Sequence, residues 1–276
     1  KAGLNVTTPA AFSSGGNMPE ALGGNSGAGT LTAGLSMGGF TGTAYPGKAY
    51  EYDGSSWTAG NAEPNVKQAG AGCGTQTAAL FFGGGPGGPP GLAGNYEYDG
   101  TNWTAGGSLP DRYPTAANEY NGTAWTAGNS CTQARSEGKG GGIAQTAGLY
   151  MGGNAQPGSS LTGATEEYDG TNFSNGGTMN TARRTFSSGS IGPSSDALIA
   201  GGTTGSVSSA AENYNGSSWT NFPSLATARQ GPGGFGNGLN SNSGAICGGS
   251  SPSKVNSTEE FTGESQSIDI KTLTQS

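Results

Sequence analysis

Two short patterns of apolar and polar residues recur along the chain. The first is a hairpin pattern, in which an aromatic residue, an Asp-Gly or Asn-Gly pair and a second aromatic residue follow one another, as at residues 97–104. Copies stand at residues 51–58, 119–126, 167–174 and 213–220, with a shortened copy at 260–263. Asp-Gly and Asn-Gly tolerate positive φ at both central turn positions. The pattern predicts that Tyr98 ends one strand, Asp99-Gly100 forms the turn, and Trp103 begins the next strand.

The second pattern is a short apolar run that ends in Gly-Gly. It is found at residues 35–39, 80–84, 149–153, 198–202 and 246–249. Runs of this length with glycine at the end are typical of short buried strands.

The spacing of the hairpin pattern defines a repeat. Successive hairpin aromatics lie 46 to 48 residues apart, except that Tyr98 and Tyr120 are separated by 22 residues. The third copy keeps the hairpin but has no Gly-Gly strand, so there are six hairpins and five such strands. A period near 47 residues that holds four short strands indicates a propeller blade.

The order of a cation, an apolar strand, Gly-Gly, a variable loop, Glu-Tyr-Asp-Gly and Trp resembles the kelch repeat over nearly the whole chain. This resemblance implies one four-stranded blade per repeat, with the strand after the cation innermost and the Trp strand outermost. Residues 98–107 also look like tandem repeats of phage and marine-bacterial surface proteins. We therefore expect an all-β, kelch-like β-propeller with five full four-stranded blades plus an extra hairpin. The alternative is six blades, one of them truncated.

We expect a single β-propeller domain over residues 1–276. Its predicted parts are an N-terminal ring-closing strand at 1–16, repeats at 17–60, 61–107, 129–176, 177–222 and 223–276, and a truncated unit at 108–128. Phe12 aligns with the tryptophan position, so its strand is expected to complete the final repeat, where Gln266 stands at that position. The alternation at residues 268–274 predicts one more half-buried strand.

Charged residues also recur at fixed positions. The residue before the hairpin aromatic is acidic in five of six units, namely Glu51, Glu97, Glu119, Glu167 and Glu260, with Asn213 as the exception. A cation precedes the innermost strand at Lys67, Arg112, Arg135, Arg183 and Arg229, and Glu20 is assigned to this position in the first unit. Each Glu is expected to be partly buried and paired with a cation or with backbone N–H groups. The alternative is a cationic ring at one mouth of the channel that holds an anionic ligand.

Composition narrows the possible chemistry. The chain has 56 Gly, 14 Pro and a net charge of −7 without any basic run, so nucleic acid and anionic membranes are poor partners, and no apolar run predicts membrane insertion. It has no histidine, which removes most metal sites and nucleophilic triads. Cys73, Cys131 and Cys247 are expected to act as small apolar residues in strands.

No catalytic, cofactor-binding or metal-binding residue is predicted. The His and Tyr copper ligands of kelch-type oxidases have no histidine counterpart here, and the repeated arginines indicate scaffold rather than a sialidase site. The glycine runs at 138–142 and 231–238 are interpreted as turns and not phosphate loops, and Asp53, Asp99 and Asp169 as turn caps and not calcium ligands. Tyr98 and Trp103 are expected to be core residues, with any binding site on loops 85–95 or 154–164.

These expectations favour a non-enzymatic structural or adhesive protein, such as an extracellular virion surface or tail-fibre component. Its partners would be other virion or surface-assembly proteins, or a glycan or receptor on a host surface. A secreted carbohydrate-binding propeller is the first alternative, and a degenerate propeller enzyme the second.

Overall fold

The computed structural model describes residues 3–85, 93–110, 117–187 and 191–270. Within these residues the chain forms 28 strands and no helix, and therefore no helix that could cross a membrane. In chain order the strands are β1 (Gly3–Thr8), β2 (Ala11–Ser14), β3 (Ser26–Thr30), β4 (Ala33–Met37), β5 (Lys48–Tyr52), β6 (Trp57–Ala62), β7 (Ala71–Thr75), β8 (Ala78–Phe82), β9 (Asn95–Tyr98), β10 (Trp103–Ala105), β11 (Asn118–Tyr120), β12 (Trp125–Ala127), β13 (Arg135–Ser136), β14 (Lys139–Ala144), β15 (Ala147–Met151), β16 (Asn154–Ala155), β17 (Ser160–Leu161), β18 (Thr165–Tyr168), β19 (Phe173–Asn175), β20 (Ala197–Ala200), β21 (Ala211–Tyr214), β22 (Trp219–Phe222), β23 (Gly233–Gly236), β24 (Ser243–Cys247), β25 (Ser250–Ser251), β26 (Ser253–Lys254), β27 (Thr258–Thr262) and β28 (Ser265–Ile270).

Antiparallel sheets follow one another along the chain, one for each hairpin pattern. We name them sheet I (β3–β6), sheet II (β7–β10), sheet III (β11 and β12), sheet IV (β14, β15, β18 and β19), sheet V (β20–β22) and sheet VI (β23, β24, β27 and β2). Among the described residues, sheets I, II, IV and VI have four strands, sheet V has three, and sheet III has two. A single bridge between Ile191 and Leu198 extends sheet V on the side of β20.

The hairpins form at the predicted places, but their turns differ from the prediction. Tyr98 pairs with Trp103, which leaves a loop of residues 99–102 between them. The Asp99 carboxylate accepts the N–H groups of Thr101 and Asn102 at 2.8 and 2.6 Å. Gly100 has φ +93°, whereas Asp99 is not among the residues with positive φ. The expectation of positive φ at both turn positions was therefore wrong, because the Asp side chain caps a longer loop from an ordinary conformation.

Sheet VI is completed from the start of the chain. Strand β2 pairs with β27, and Phe12 lies opposite Phe261, with ring centroids 5.0 Å apart. This is the pairing predicted from the alignment of Phe12 with the tryptophan position. Strand β28 instead pairs with β1, from Gly3 opposite Ile270 to Thr8 opposite Ser265. The predicted final strand thus begins three residues early, and its residues 271–274 lie outside the described residues.

The core lies between neighbouring sheets. Leu149 and Met151 of sheet IV pack in one buried cluster with Ile199 and Tyr214 of sheet V. Leu35 and Met37 of sheet I pack in the same way with Phe81 and Tyr98 of sheet II. A four-stranded sheet is a single layer and cannot bury its own apolar faces. Each sheet therefore depends on its two neighbours to shield them from water.

Backbone hydrogen bonds also link the sheets. Gly24 N donates to Gly231 O at 2.8 Å, and Ala69 N donates to Gly24 O at 2.7 Å. Gly231 N donates to Thr185 O at 2.6 Å, and Thr185 N donates to Glu137 O at 3.2 Å. All five residues have φ between +50 and +71°. This conformation costs about 1–2 kcal/mol for a residue other than glycine. Its recurrence indicates that it directs the four donor N–H groups toward the preceding sheet.

Candidate functional site

Three arginines are buried in ion pairs of one design. Arg183 Nη1 lies 2.6 Å from Glu212 Oε1, and both side chains have at most 1% of their surface exposed. The Glu212 carboxylate also accepts the N–H groups of Asn180 and Thr181 at 2.7 and 3.3 Å. The pairs Arg135–Glu166 and Arg229–Glu259 repeat this arrangement. Each buried carboxylate therefore has three donors, which offsets its loss of solvation.

The expectation that each glutamate of the hairpin pattern pairs with a cation or with backbone N–H groups was wrong, since these arginines bind other carboxylates. Arg135 pairs with Glu166, whereas the Glu predicted from the hairpin pattern of that unit is Glu167. Neighbouring residues of a strand point to opposite faces, so a shift of one position reverses the side. Sequence reasoning missed Glu166, Glu212 and Glu259, although the acidic doublets at 166–167 and 259–260 were a usable signal.

The residue at the cation position differs in the first two sheets. The first unit carries Leu22 there and not Glu20, since Gly249 N donates to Leu22 O as Gly202 N donates to Arg229 O. Glu20 instead pairs with Lys48 at 3.2 Å. Arg112 lies outside the described residues.

The buried cations are not available to an anionic ligand. Arg135, Arg183, Arg229 and Lys67 are each at most 1% exposed. The Lys67 ammonium lies 4.4 Å from the Phe81 ring centroid and 5.0 Å from that of Tyr96. For these four residues the hypothesis of a cationic ring was therefore wrong.

Lys67 is accompanied by an acid that is buried without good pairing. Glu63 is 4% exposed, and its Oε1 accepts the Lys67 N–H group at 3.4 Å. Burial raises the pKa of Glu63 to about 7, and burial lowers the pKa of Lys67 to about 8. The burial of these two charges is therefore less well compensated by hydrogen bonds than that of the arginine pairs.

The glutamates of the hairpin pattern bind tyrosines of the following sheet. Tyr98 Oη donates to Glu51 Oε1 at 2.6 Å, and Tyr214 Oη donates to Glu167 Oε1 at 2.5 Å. The same contact joins Tyr52 to Glu260, Tyr120 to Glu97 and Tyr168 to Glu119. Burial, followed by the hydrogen bond to the carboxylate, raises the pKa of Tyr214 to about 12. The phenol therefore keeps its proton at neutral pH and remains the donor.

A glycine makes room for each of these phenols. A Cβ atom on Gly176 would lie 2.5 Å from Tyr214 Oη, and one on Gly60 would lie 2.6 Å from Tyr98 Oη. Gly15, Gly106 and Gly128 stand in the same relation to Tyr52, Tyr120 and Tyr168. The glycine three residues after the outer-strand aromatic is thus required by the tyrosine of the next sheet.

The junction of sheets V and VI replaces this contact as a whole. Phe261 stands at the tyrosine position, Asn213 at the glutamate position and Phe222 at the glycine position, and the two Phe rings lie 5.8 Å apart. Asn213 Nδ2 donates to Asp196 Oδ1 at 3.0 Å and to Ser241 Oγ at 2.9 Å. All three positions of the contact therefore differ together at this junction.

A cavity of about 630 Å³ lies where sheets II, III and IV meet. We call it the slot. Its lining includes Cys73, Leu80 and Phe82 of sheet II, Tyr120 and Trp125 of sheet III, and Gln145 from the β14–β15 turn of sheet IV. Most of these side chains are apolar or aromatic.

The slot lies where the other sheets have their inner two strands. Cys73 is exposed, although Ala28, which has the same place in sheet I, is 5% exposed. Leu80 and Phe82 are half-buried, whereas Leu35 and Met37, their counterparts in sheet I, are fully buried. The two-stranded form of sheet III in the described residues therefore uncovers one face of sheet II.

Two polar groups at the slot are less satisfied than their counterparts. Trp219 Nε1 donates to Thr165 Oγ1 at 2.9 Å and to Gly177 O at 3.0 Å. Trp125 Nε1 is buried and has no partner in the part of the chain that the structure describes. Such a group is costly to leave unpaired.

The two equivalent turn glutamines also differ. Gln76 Nε2 donates both to Tyr52 O at 3.2 Å and to Gly34 O at 2.9 Å. Gln145 Nε2 donates to Tyr120 O at 2.8 Å, and the second acceptor would belong to an inner strand of sheet III.

The predicted site residues have the following places. Loop 154–164 contains the short pair β16–β17, and loop 85–95 is described only at residues 85 and 93–95. None of the described residues of either loop lines the slot. Tyr98 is a core residue, as predicted, and Trp103 is half-buried beside it.

Cys247 is buried in β24, Cys131 is buried outside the strands, and Cys73 is exposed on β7. Among the described residues no group of three His, Cys, Asp or Glu residues could hold a metal ion.

Comparisons with known proteins bear on the fold. No protein-family model and no curated protein sequence matches the chain. Among solved structures the chain is similar to YjhT, with a TM-score of 0.69 and 14% identity over 91% of this chain and 99% of that chain. At this identity the similarity concerns the fold alone. The chain has a propeller-like all-β fold, in common with YjhT.

Proposed function

We propose that the chain is a kelch-like propeller with six blade positions, of which the third is truncated. The support comes from sheet III, which makes the same contacts with its neighbours as the larger sheets do. Tyr120 donates to Glu97 of sheet II, and Glu119 accepts from Tyr168 of sheet IV. A hairpin that only decorated a five-bladed ring would have no reason to keep both contacts. This interpretation favours the six-position alternative over five full blades plus an added hairpin.

The proposed function is that of a non-enzymatic interaction scaffold in an extracellular surface assembly, such as a virion surface or a tail fibre. The observation that carries this proposal is that charged groups are buried inside the framework while apolar side chains line an open cavity. The buried arginines are bonded to carboxylates within the framework, whereas the slot offers Leu80, Phe82 and Trp125 at its surface. Apolar surface in a cleft is typical of a docking site. The partners would be neighbouring proteins of the assembly or a receptor on a host surface.

Locating the chain in its native setting tests this function. Gold-labelled antibodies against the purified chain would be imaged on particles and cell surfaces of the source by electron microscopy. We expect symmetric copies on a particle exterior. A chain found only as a free intracellular monomer, or one with turnover in a glycosidase and oxidase screen, would contradict the proposal.

A carbohydrate-binding function is the second candidate, and the slot favours it specifically. The lining combines the Trp125 and Tyr120 rings with the polar side chains of Asp99 and Gln145, a combination suited to a sugar. A glycan array with the native chain and a Trp125→Ala variant tests it. Glycan binding that disappears in the variant would support a sugar ligand, and an empty array would count against it.

A further inference from the structure

We propose that the slot binds an extended segment of another protein chain, which lies beside β11 as a strand that sheet III lacks among the described residues. The segment has the pattern small, aliphatic, apolar, apolar, Gly, Gly. This inference rests on the proposed role as an interaction scaffold and names the class of partner.

The repeats of the chain itself define what covers this place. In sheet IV, Leu149 of β15 lies opposite Glu167 of β18, and Gly148 lies opposite Tyr168. Glu119 and Tyr120 of β11 stand at the corresponding positions of sheet III. The equivalent inner strands are residues 34–37, 79–82, 148–151, 197–200 and 244–247, and each is followed by Gly-Gly. The added strand therefore takes the same antiparallel register, with its small residue opposite Tyr120 and its aliphatic residue opposite Glu119.

The faces of the neighbouring sheets fit the side chains of such a strand. At the complete junction, Phe81 of sheet II packs against Leu35 and Met37 of sheet I. An apolar side chain of the added strand would pack against Leu80 and Phe82 in the same way. Both side chains are half-buried and line the slot. Their burial supplies the apolar part of the binding free energy.

Gln145 is placed to bind the backbone of the added strand. Its counterpart Gln76 joins the carbonyl of the hairpin strand, Tyr52 O, to that of the inner strand, Gly34 O. Gln145 already holds Tyr120 O, and a carboxamide NH₂ group has a second hydrogen to donate. The carbonyl of the added strand's small residue would accept it. Main-chain bonds of this kind provide affinity whenever a strand is added to a sheet.

No segment of the required pattern within residues 1–276 is left free to supply the added strand. Each segment of this chain with the required pattern already lies in β4, β8, β15, β20 or β24, and each of these is paired on both sides within its own sheet or bridge. A second folded copy therefore has no such segment to donate without losing one of its own sheets.

A peptide with the sequence of residues 146–153, Thr-Ala-Gly-Leu-Tyr-Met-Gly-Gly, tests the proposal. It carries two lysines at its amino end for solubility and is titrated into the purified chain by calorimetry. We expect saturable binding at one site per chain. A peptide of the same composition in scrambled order is the control and should not bind.

Two variants connect binding to the slot. Cys73→Trp fills the slot from an exposed position and should weaken binding at least tenfold, while Leu239→Trp on a turn of sheet VI, where the native side chain is 79% exposed, should leave binding unchanged. Gln145→Ala should weaken it about 2- to 10-fold, as expected for one hydrogen bond. Circular dichroism and thermal unfolding check that each variant folds, and Leu80→Lys replaces Cys73→Trp if that variant does not.

Several outcomes would overturn the inference: no binding to the native chain at millimolar peptide, equal binding of the scrambled peptide, or binding that survives a filled slot. Glycan binding in the slot without peptide binding would also overturn it and would support the carbohydrate alternative. The particle-labelling experiment tests the proposed function separately. If the chain binds the peptide but is absent from particles, the strand-binding site is supported and only the proposed role in a surface assembly is contradicted.

Discussion

The junction between sheets IV and V and the junction between sheets II and III are built from the same repeat and differ in closure. At the first, Leu149 and Met151 are 4% and 0% exposed, and Trp219 has two acceptors for its indole N–H. At the second, Leu80 and Phe82 remain half-buried, and the buried Trp125 Nε1 has no partner in the described residues.

The Tyr–Glu contact is present at both junctions. Tyr214 binds Glu167 at the closed one, and Tyr120 binds Glu97 at the open one. The outer hairpin therefore fixes where a sheet stands relative to its neighbour, whereas the inner strands supply most of the buried core. A unit can lose its inner strands and keep its place.

The largest expected effect concerns the ion pair of the closed junction. Arg183→Met should lower the free energy of unfolding by about 3–5 kcal/mol, because Glu212 would stay buried without its cation. Urea denaturation measures the change. The adjacent Arg184, whose pair with Glu137 is 40% and 44% exposed, provides the matched control, and Arg184→Met should cost less than about 1 kcal/mol. Equal losses in the two variants would refute the scaffold role of Arg183.

The next comparison sets equivalent leucines of the two junctions against each other. Leu149→Ala should cost about 2–5 kcal/mol, as for a fully buried leucine. Leu80→Ala should cost about 1 kcal/mol, because part of that side chain is already in water. Both values come from denaturant unfolding. A cost at Leu80 as large as that at Leu149 would mean that the slot is closed in solution.

The Tyr–Glu contact is expected to contribute less to the free energy of unfolding than these leucines. Tyr214→Phe should cost about 1–2 kcal/mol through the lost bond to a carboxylate. Replacing Glu167 by Asn in the same chain recreates the natural pair Phe261 and Asn213, and the double variant should recover part of that loss. A double-mutant cycle measures the coupling, and additive effects would show that the phenol and the carboxylate do not interact.

The last comparison concerns the pH dependence of stability. The pKa of Glu63 is raised by burial to about 7, so its stabilising contribution is present below about pH 4.5 and is lost as the pH rises to about 7. Glu63→Gln should therefore make the free energy of unfolding flatter between pH 4.5 and 7. The lowered pKa of Lys67, about 8, acts between pH 8 and 10.5 and so lies outside this window. Identical slopes for both proteins would show that Glu63 ionises normally.

Much of the fold could be predicted because the hairpin and Gly-Gly patterns are local signals. Tyr98 pairs with Trp103, and β2 completes sheet VI, as the alignment of Phe12 indicated. The ion pairs were assigned one residue away, because a run such as Glu166-Glu167 does not reveal which side chain faces which neighbour. The slot was not predicted, since it depends on what the neighbours of a shortened unit leave uncovered. The sequence predicted a truncated unit at residues 108–128, and the two strands of sheet III lie within that range at residues 118–127.

The pairing of β1 with β28 has a mechanical consequence. Gly3, at the start of β1, lies opposite Ile270, at the end of β28. The first residue of one strand and the last residue of the other are therefore neighbours. A force that separates these ends loads the hydrogen bonds one after another, as in opening a zipper, and not all at once in shear. We therefore expect the β1–β28 ribbon to open before tension reaches β2 and its pairing with β27.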